Sequence, residues 1–369
     1  MEPSSVKEAP TGGRCLPFTM TKALAQTSNY NARSRIVGLC CFGRNRDEQP
    51  HLMQHRQFRD FDAFSASVRD VDATMMLQNP ARRLWTINQV NIGGIDVQLG
   101  QVGSGNLVEG QSWQNGTLIY LPLSPRVAYR ANGIAFGKNE LMVLEPGCEF
   151  CLSTQSPHDW CTIFIPKEKR PLDSAPPTPT SAYTISEGAR CRVARTNGQV
   201  ASRFYSIVRG VLMASAHSAL FEHSPAAESA ADELTGIASL ILGKKQAAEP
   251  NRLGRPKMHR SAIMQSCREL FEARAGQQIS VQALAAKAGA SERTLRQAFY
   301  DYFGIGPVRY LQLRQLHQIH RALRIAGPDA AHVGDVLAQH GIWEFGRFAS
   351  RYRLLFGELP SQTLRAGLS

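Results

Sequence analysis

The sequence lacks long apolar runs: no segment approaches the ~18 residues that a membrane-spanning helix requires. The N-terminal stretch also lacks the continuous apolar core of a secretory signal peptide. Cysteine is sparse, with 8 residues among 369, and their scatter excludes the dense disulfide framework of small secreted domains. These absences predict a cytoplasmic protein with reduced thiols.

Catalytic signatures are missing as well. The sequence contains no G-x-S-x-G, H-E-x-x-H or phosphate-binding P-loop motif, and no histidine has a nucleophile at a recognisable spacing. We therefore predict no catalytic residue, no cofactor and no enzyme activity. The short run Gly103-Ser-Gly105 lacks the strand-to-helix context of a dinucleotide fingerprint, and we interpret it as a hairpin turn.

One cluster of possible metal ligands needs separate treatment. Cys148, Cys151, His158 and Cys161 supply the thiolate and imidazole groups that zinc prefers. Their neighbours are typical of strands, and the spacing does not form the two separated ligand pairs of a zinc ribbon. We predict no metal site here.

Positive charge is abundant and unevenly distributed. The formal net charge is +12, and residues 251–369 hold 17 Lys and Arg against 8 Asp and Glu. A basic region attracts polyanions because each neutralised phosphate releases counterions. Charge alone does not separate nucleic-acid binding from a merely soluble basic surface.

Composition changes along the chain predict several segments. Short runs rich in Val, Ile, Leu and Thr, separated by Gly, Pro and Asn, predict an antiparallel β-sandwich or small barrel. Apolar residues at helical spacing follow these runs, and proline-rich or basic linkers separate the segments. The predicted segments are an N-terminal arm of poor order at 1–55, a β-rich regulatory domain at 56–170, a linker at 171–198, a helical segment at 199–243, a basic linker at 244–258 and a C-terminal helical domain at 259–369.

The helical segment at 199–243 has two amphipathic patterns, predicting two antiparallel helices. Their apolar faces could cover the β-rich domain or pair with a second subunit. We favour dimerisation.

The sequence of the C-terminal domain predicts two helix-turn-helix units joined by a long helix. In the first unit Ser280 caps a short helix, Gly289 forms the turn, and a second helix starts at Ser291. The next helix runs from Pro307 to about Ile325. The second unit turns at Gly341, and its second helix is predicted to bury Phe345, Phe348, Tyr352 and Leu355.

This region resembles the AraC/XylS family of regulators over roughly Ser261 to Leu368. The resemblance rests on the run from Leu284 to Phe299, on Phe303-Gly-Ile-Gly-Pro307, on Gly341 to Tyr352 and on Phe356-Gly-Glu-Leu-Pro-Ser361. It implies an α+β multidomain fold, with an N-terminal cupin-like β-sandwich or barrel that carries two dimerisation helices, and a C-terminal all-α tandem helix-turn-helix domain.

The resemblance also implies a set of DNA-contacting residues. In the first unit, the polar face of the second helix carries side chains that can hydrogen-bond to base edges: Ser291, Arg293, Thr294, Arg296 and Gln297. In the second unit the family positions fall on Phe345, Gly346, Ala349 and Ser350, flanked by Arg347, Arg351 and Arg353. Because Gly346 and Ala349 lack polar side chains, we predict direct readout mainly by the first unit and phosphate or thymine-methyl contacts by the second.

The implied partners are double-stranded promoter DNA, a second copy of the chain, RNA polymerase and a small-molecule effector, in a nucleoid-associated cytoplasmic protein. Effector contacts are expected among the aromatic residues of the β-rich domain, although aromatic residues in strands also serve as core. These candidates are Trp85, Trp113, Tyr120, Tyr129 and Trp160. Two alternatives stay open: a β-barrel effector-binding or catalytic protein that only carries a basic helical module, and an architectural DNA binder without sequence preference.

Overall fold

A computed structural model describes residues 54–169, 191–218, 220–243, 260–274, 277–330 and 332–367. The predicted basic linker at 244–258 lies outside the described residues. So does the predicted arm at 1–55, except for its last two residues, which begin the first strand.

Residues 54–169 and 191–195 build an antiparallel sheet that curves into a nearly closed barrel. The sheet order is β10-β7-β4-β9-β3-β8-β5-β6, and β2 pairs with both β1 and β3. The strands are β1 (Gln54–Phe58), β2 (Val71–Ile92), β3 (Ile95–Ser112), β4 (Gly116–Pro122), β5 (Tyr129–Ala131), β6 (Ile134–Phe136), β7 (Glu140–Leu144), β8 (Glu149–Thr154), β9 (His158–Pro166) and β10 (Cys191–Arg195).

The central ribbon of the barrel is longer than the sequence predicts. Strands β2 and β3 pair from Val71 and Ser112 to Ile92 and Ile95, with an irregular register between Gln78 and Trp85. The turn between them uses Gly93 and Gly94 at φ 52° and 84°. The run Gly103-Ser-Gly105 lies inside β3, so its interpretation as a hairpin turn is wrong. A Cβ atom at Gly105 would lie 2.8 Å from the carbonyl oxygens of Thr154 and Gln155. Glycine is needed there for close main-chain approach.

The predicted linker at 171–198 is too long at its C-terminal end. Residues Cys191–Arg195 form β10, which pairs antiparallel with β7 and sets Cys191 opposite Leu144. The remainder of that linker, up to residue 190, lies outside the described residues. Hydrogen bonding to β7 therefore makes the end of the predicted linker part of the barrel.

The helices are α1 (Phe61–Ser67), α2 (Gly198–His217), α3 (Pro225–Gly243), α4 (Arg260–Ala273), α5 (Val281–Lys287), α6 (Glu292–Phe303), α7 (Pro307–Ala330), α8 (Val333–Gln339), α9 (Phe345–Phe356) and α10 (Pro360–Ala366). Helix α7 is broken at Gly327, which has φ 66° and ψ 169°.

Helices α2 and α3 pack against the outside of the barrel. Phe204 and Val208 of α2 and Leu234 of α3 are completely buried in a cluster that contains Ile119 and Ile163 of the sheet. The apolar faces of the two helices therefore cover the β-rich domain. This is the alternative that the sequence interpretation placed second to dimerisation.

A second hydrophobic cluster joins the barrel interior to the C-terminal helices. It contains Trp85 and Phe164 of the barrel together with Phe299, Tyr310 and Tyr352 of the helical domain, each at most 1% exposed. Because core packing is continuous across the boundary, the barrel and helices 260–366 hold a defined relative orientation in this structure.

Candidate nucleic-acid interface

The first helix-turn-helix unit consists of α5 and α6. The Ser280 hydroxyl caps α5 by accepting a 3.1 Å hydrogen bond from the Ala283 amide, and Leu284 is buried beneath it. Gly289, at φ 59°, makes the turn. The predicted cap and turn are thus confirmed, and they direct the chain into α6.

Helix α6 divides into a buried and an exposed face. Its buried face consists of Leu295, Ala298, Phe299, Tyr302 and Phe303. All five residues predicted for DNA contact in this unit, from Ser291 to Gln297, are exposed. The structure therefore brings the predicted polar residues together on one solvent-facing surface.

Exposed intramolecular contacts orient these polar side chains. Arg296 forms a 3.1 Å ion pair with Glu292, and the Gln297 amide donates a 3.0 Å hydrogen bond to Asp301. The Ser291 hydroxyl accepts from the Thr294 amide at 3.2 Å and thus caps the helix. Exposed pairs contribute about 0 to 1 kcal/mol each, so a polyanion can displace them at low cost.

The second unit consists of α8 and α9, with Gly341 at φ 70° in the turn. Helix α9 buries Phe348, Tyr352 and Leu355. Phe345 does not belong to this buried face, contrary to the prediction, because its side chain is 47% exposed. It lies at the first position of the helix, where a Cβ atom added to Gly334 of α8 would lie 3.9 Å from its ring.

The exposed face of α9 is cationic. Its predicted contact residues Gly346, Arg347, Ser350, Arg351 and Arg353 are all exposed. Arg347 pairs with Glu344 at 3.1 Å, while the Ser350 hydroxyl donates to the Gly346 carbonyl at 3.0 Å. The serine is thereby engaged with its own helix, and guanidinium groups dominate this surface.

One exposed residue beside α9 is not among the residues predicted to contact DNA. Trp343 precedes the helix and is 80% exposed. An apolar side chain of this size normally packs, so its exposure next to a cationic face suggests a contact surface. The only sequence signal was a tryptophan in the turn of the second unit.

The barrel contains a small, partly open cavity of about 60 Å³. Tyr120 and Trp160 line it and stack with ring centroids 5.9 Å apart. The other candidates for effector contact lie elsewhere: Trp85 donates to the Ser104 hydroxyl, Tyr129 is buried in the core, and Trp113 is 38% exposed. The structure therefore brings two of the five candidates together at the cavity.

Tyr120 and His158 are two of the polar residues that line this largely apolar cavity; the others are Arg69, Asn106 and Thr162. The Tyr120 hydroxyl is buried and has no hydrogen-bond partner among the described residues. His158 Nδ1 donates to the Ser104 and Ser156 carbonyls, and burial lowers the pKa of His158 to about 4. The imidazole is therefore neutral at pH 7, which makes Nε2 a hydrogen-bond acceptor.

The cysteine and histidine cluster does not assemble. Cys148 and Cys151 pack in the inner core, whereas Cys161 faces the outer cluster under α2 and α3. Among the described residues no group of three or more His, Cys, Asp or Glu could hold a metal ion.

Comparison with known proteins identifies the C-terminal region. A helix-turn-helix domain family matches residues 284–366. The chain is 27% identical over 234 residues to a XylDLEGF operon transcriptional activator of Pseudomonas putida, covering 62% of this chain and 68% of the relative. It is 32% identical over 129 residues to a probable thc operon regulatory protein of Rhodococcus erythropolis, covering 34% and 39%. Residues 284–366 therefore carry an AraC-type helix-turn-helix domain.

The chain is also similar, at low identity, to two solved structures. The AraC-like transcriptional activator CuxR is 13% identical, covers 78% of this chain and 99% of its own, and has a TM-score of 0.39. ToxT of Vibrio cholerae with bound unsaturated fatty acid is 9% identical, covers 80% and 97%, and has a TM-score of 0.26.

The linker helix α7 of this protein faces the barrel. Arg324 pairs with Asp60 at 2.9 Å, and His317 Nε2 donates to the Leu77 carbonyl at 3.2 Å. Burial lowers the pKa of His317 to about 3, so it is neutral in the folded protein. These contacts tie the helix between the two DNA-binding units to strand β2 and to the N-cap residue of α1. No helix within the described ranges has the length and apolar character needed to cross a membrane.

Proposed function

We propose that this AraC/XylS-type DNA-binding regulator reads promoter sequence mainly through α6. The supporting observation is the exposed face formed by Arg293, Arg296 and Gln297, which stands opposite a fully buried apolar stripe. Arginine can donate two hydrogen bonds to guanine and glutamine can pair with adenine in the major groove. Ser291 and Thr294, at the N-terminal end of the same helix, are suited to phosphate contacts.

Helix α9 is proposed to bind chiefly the DNA backbone. Arg347, Arg351 and Arg353 supply charge for phosphates, while Phe345 and Trp343 offer exposed apolar surface for thymine methyl groups. Gly346 and Ala349 lack hydrogen-bonding side chains, which supports unequal roles for the two units.

Selection of bound DNA from a random pool by the full chain tests this proposal. We expect a site in which one major-groove segment is strongly defined and a second, about 10.5 base pairs away, is weakly defined. Recovery of DNA without sequence enrichment would instead indicate an architectural binder and would overturn the proposal. Two equally well-defined segments would overturn the unequal division of labour.

We propose that the barrel cavity receives a small effector. Its apolar lining, with one donor from Tyr120 and one acceptor at His158, suits a compact, mostly apolar molecule with a single hydrogen-bonding group. Sites for drug-sized ligands measure about 300 to 1,000 Å³, so this cavity suits a much smaller molecule. A thermal-shift screen of small apolar acids, alcohols and ketones against parent and Tyr120→Phe tests the site. A ligand that stabilises both equally would contradict it.

Dimerisation is proposed through the outward faces of α2 and α3, since their inward faces cover the barrel. Met213 and Leu240 are 51% and 60% exposed on these helices. Sedimentation of parent, Met213→Glu and Leu240→Glu would test this surface. A dimer of unchanged affinity in both variants would exclude it. In the cell we expect a nucleoid-associated cytoplasmic protein that contacts RNA polymerase at promoters.

A further inference from the structure

The two recognition helices α6 and α9 end in the same way. Each has 12 residues and finishes with Phe followed by Gly, at Phe303-Gly304 and Phe356-Gly357. Both glycines are left-handed, with φ 69° and 83°. The amide of each bonds back to a carbonyl four residues earlier, and the last carbonyls of a helix have no partner within it.

Side chains of the barrel supply those partners at the end of α6. The Ser153 hydroxyl and the Gln155 amide both donate to the Phe303 carbonyl at 2.7 Å. Arg130 donates to the Asp301 carbonyl at 3.3 Å. These donors come from β8, from the turn that follows it, and from β5.

A different part of the barrel caps α9. Arg83 donates to the Leu355 carbonyl at 2.8 Å and to the Leu354 carbonyl at 3.1 Å. Its guanidinium lies against Gly357, where a Cβ atom would collide with it. A cation at this position also interacts favourably with the negative end of the helix dipole.

The two capping regions are connected within the barrel. Gln78 donates to the Thr154 carbonyl at 2.6 Å, and Asn79 donates to the Gln155 carbonyl at 3.2 Å. The β2 segment that carries Arg83 is therefore hydrogen-bonded to the segment that carries Ser153 and Gln155. One edge of the barrel thus holds the C-terminal ends of both recognition helices.

We propose that Arg83, together with Ser153 and Gln155, positions α6 and α9 relative to each other and so determines the operator spacing that the protein accepts. The inference rests on the proposed function, because it requires both helices to contact DNA. The linker helix connects the two units, and the barrel edge, clamping each unit at a second point, restricts their rotation. These three residues are positioning residues that need not touch DNA.

Spacing variants of the selected operator test the proposal. Inserting one base pair between the two major-groove segments rotates one against the other by about 34°, given ~10.5 base pairs per turn. We expect the parent to lose about tenfold or more in affinity on this insertion. The spacing ratio is the affinity for the selected operator divided by the affinity for the operator with the inserted base pair. Arg83→Ala and the double variant Ser153→Ala/Gln155→Ala should reduce this ratio to about threefold or less.

Arg82→Ala is the matched control. Arg82 is the neighbouring exposed arginine on the same strand, and no described hydrogen bond joins it to α9, so the parental ratio should persist. Circular dichroism and melting temperature verify the fold of each variant. The use of two independent clamp variants keeps the test valid if one of them fails to fold.

The outcomes separate the two proposals. If the parent selects a spaced operator and both clamp variants keep the parental ratio, the positioning role is wrong while the proposed function stands. A lower ratio in Arg82→Ala as well would assign the effect to charge and would also overturn the clamp. If the parent selects no DNA sequence, the proposed function fails, and the clamp inference fails with it.

Discussion

The Tyr310 hydroxyl on α7 donates a 2.7 Å hydrogen bond to the Glu109 carboxylate on β3. Tyr310 is completely buried, and loss of solvation raises the pKa of Glu109 above its ordinary value, although Tyr310, Arg268 and Arg314 oppose this shift. The pair joins the barrel to the helix that links the two DNA-binding units. A buried carboxyl group thus lies at the boundary between the barrel and the linker helix.

Replacing Glu109 by Gln should change how stability depends on pH. With a raised pKa in the folded state, the unfolded chain loses its proton first as pH rises, so Glu109 lowers the free energy of unfolding from acidic to neutral pH. Glutamine keeps an acceptor for Tyr310 and does not titrate. Urea unfolding should therefore show Glu109→Gln gaining stability relative to the parent between pH 4 and pH 7.

The free energy of unfolding of the variant minus that of the parent isolates the effect of the Glu109 carboxyl, because the histidines are present in both proteins. Glu149→Gln is the control, since Glu149 is exposed in its pair with Arg268. A difference for Glu109→Gln that stays constant across this pH range would show that the carboxyl titrates alike in the folded and unfolded states.

The histidine facing β2 should produce the opposite trend. Because burial lowers the pKa of His317 to about 3, the unfolded chain takes up its proton near pH 6.5 while the folded chain does not. The contribution of neutral His317 to the free energy of unfolding is therefore complete above about pH 6.5 and is lost as pH falls towards 3. His317→Gln should lose about 1 to 3 kcal/mol at pH 7 with its hydrogen bond to Leu77, and less at pH 4.5.

His223→Gln serves as the control because His223 is exposed. Chemical unfolding at pH 7 and pH 4.5 should show little change for this variant at either pH. An equal loss for His317→Gln at both pH values would mean that His317 does not resist protonation in the folded protein.

The sequence predicted the DNA-binding units well because their signals are local. Ser280, Gly289 and the spacing of Leu295 and Phe299 each fix a cap, a turn or a buried face within a few residues. Phe345 was misassigned since an apolar residue at the first turn of a helix has the same spacing whether buried or exposed. Trp343 had no periodic signal at all.

The contacts between barrel and helices could not be predicted. Arg83 and Leu355 are 272 residues apart, and their pairing depends on how the barrel and the C-terminal helices pack together. Gly103 was misread for a related reason: glycine marks turns and close main-chain approaches alike, and only the neighbouring strand distinguishes them. Long-range geometry is therefore the part that required the structure.

Substitutions on the two recognition helices should have different signatures. Arg296→Ala is expected to cost about 1 to 3 kcal/mol on the selected operator and to relax base preference at one position. Arg347→Ala should weaken selected and scrambled DNA alike and lower the salt-dependence slope by about one. Fluorescence anisotropy on both DNAs at several salt concentrations measures these effects.

Arg209→Ala is the control for charge, because Arg209 is exposed on α2 and distant in sequence from both units. It should leave both the base preference and the salt slope close to those of the parent. A larger change in base preference for Arg347→Ala than for Arg296→Ala would reverse the assignment of α6 as the main reader.

Two tyrosines in the barrel should respond differently to removal of their hydroxyls. Tyr129 donates to the Asp159 carbonyl at 3.1 Å and accepts from the Ser124 amide at 3.3 Å, whereas the buried Tyr120 hydroxyl has no partner among the described residues. Tyr129→Phe should therefore lower the free energy of unfolding by about 1 to 2 kcal/mol. Tyr120→Phe should be neutral, or stabilising by up to about 1 kcal/mol, because an unpaired buried hydroxyl carries a desolvation cost.

Urea unfolding of the two variants at pH 7 makes this comparison directly. Both substitutions remove one oxygen and keep the ring, so packing differences are small. An equal loss in the two variants would mean that the Tyr120 hydroxyl is paired in the folded protein, and it would remove the donor on which the proposed effector site depends. A neutral Tyr120→Phe would instead leave that hydroxyl available to a ligand, at little cost to the fold.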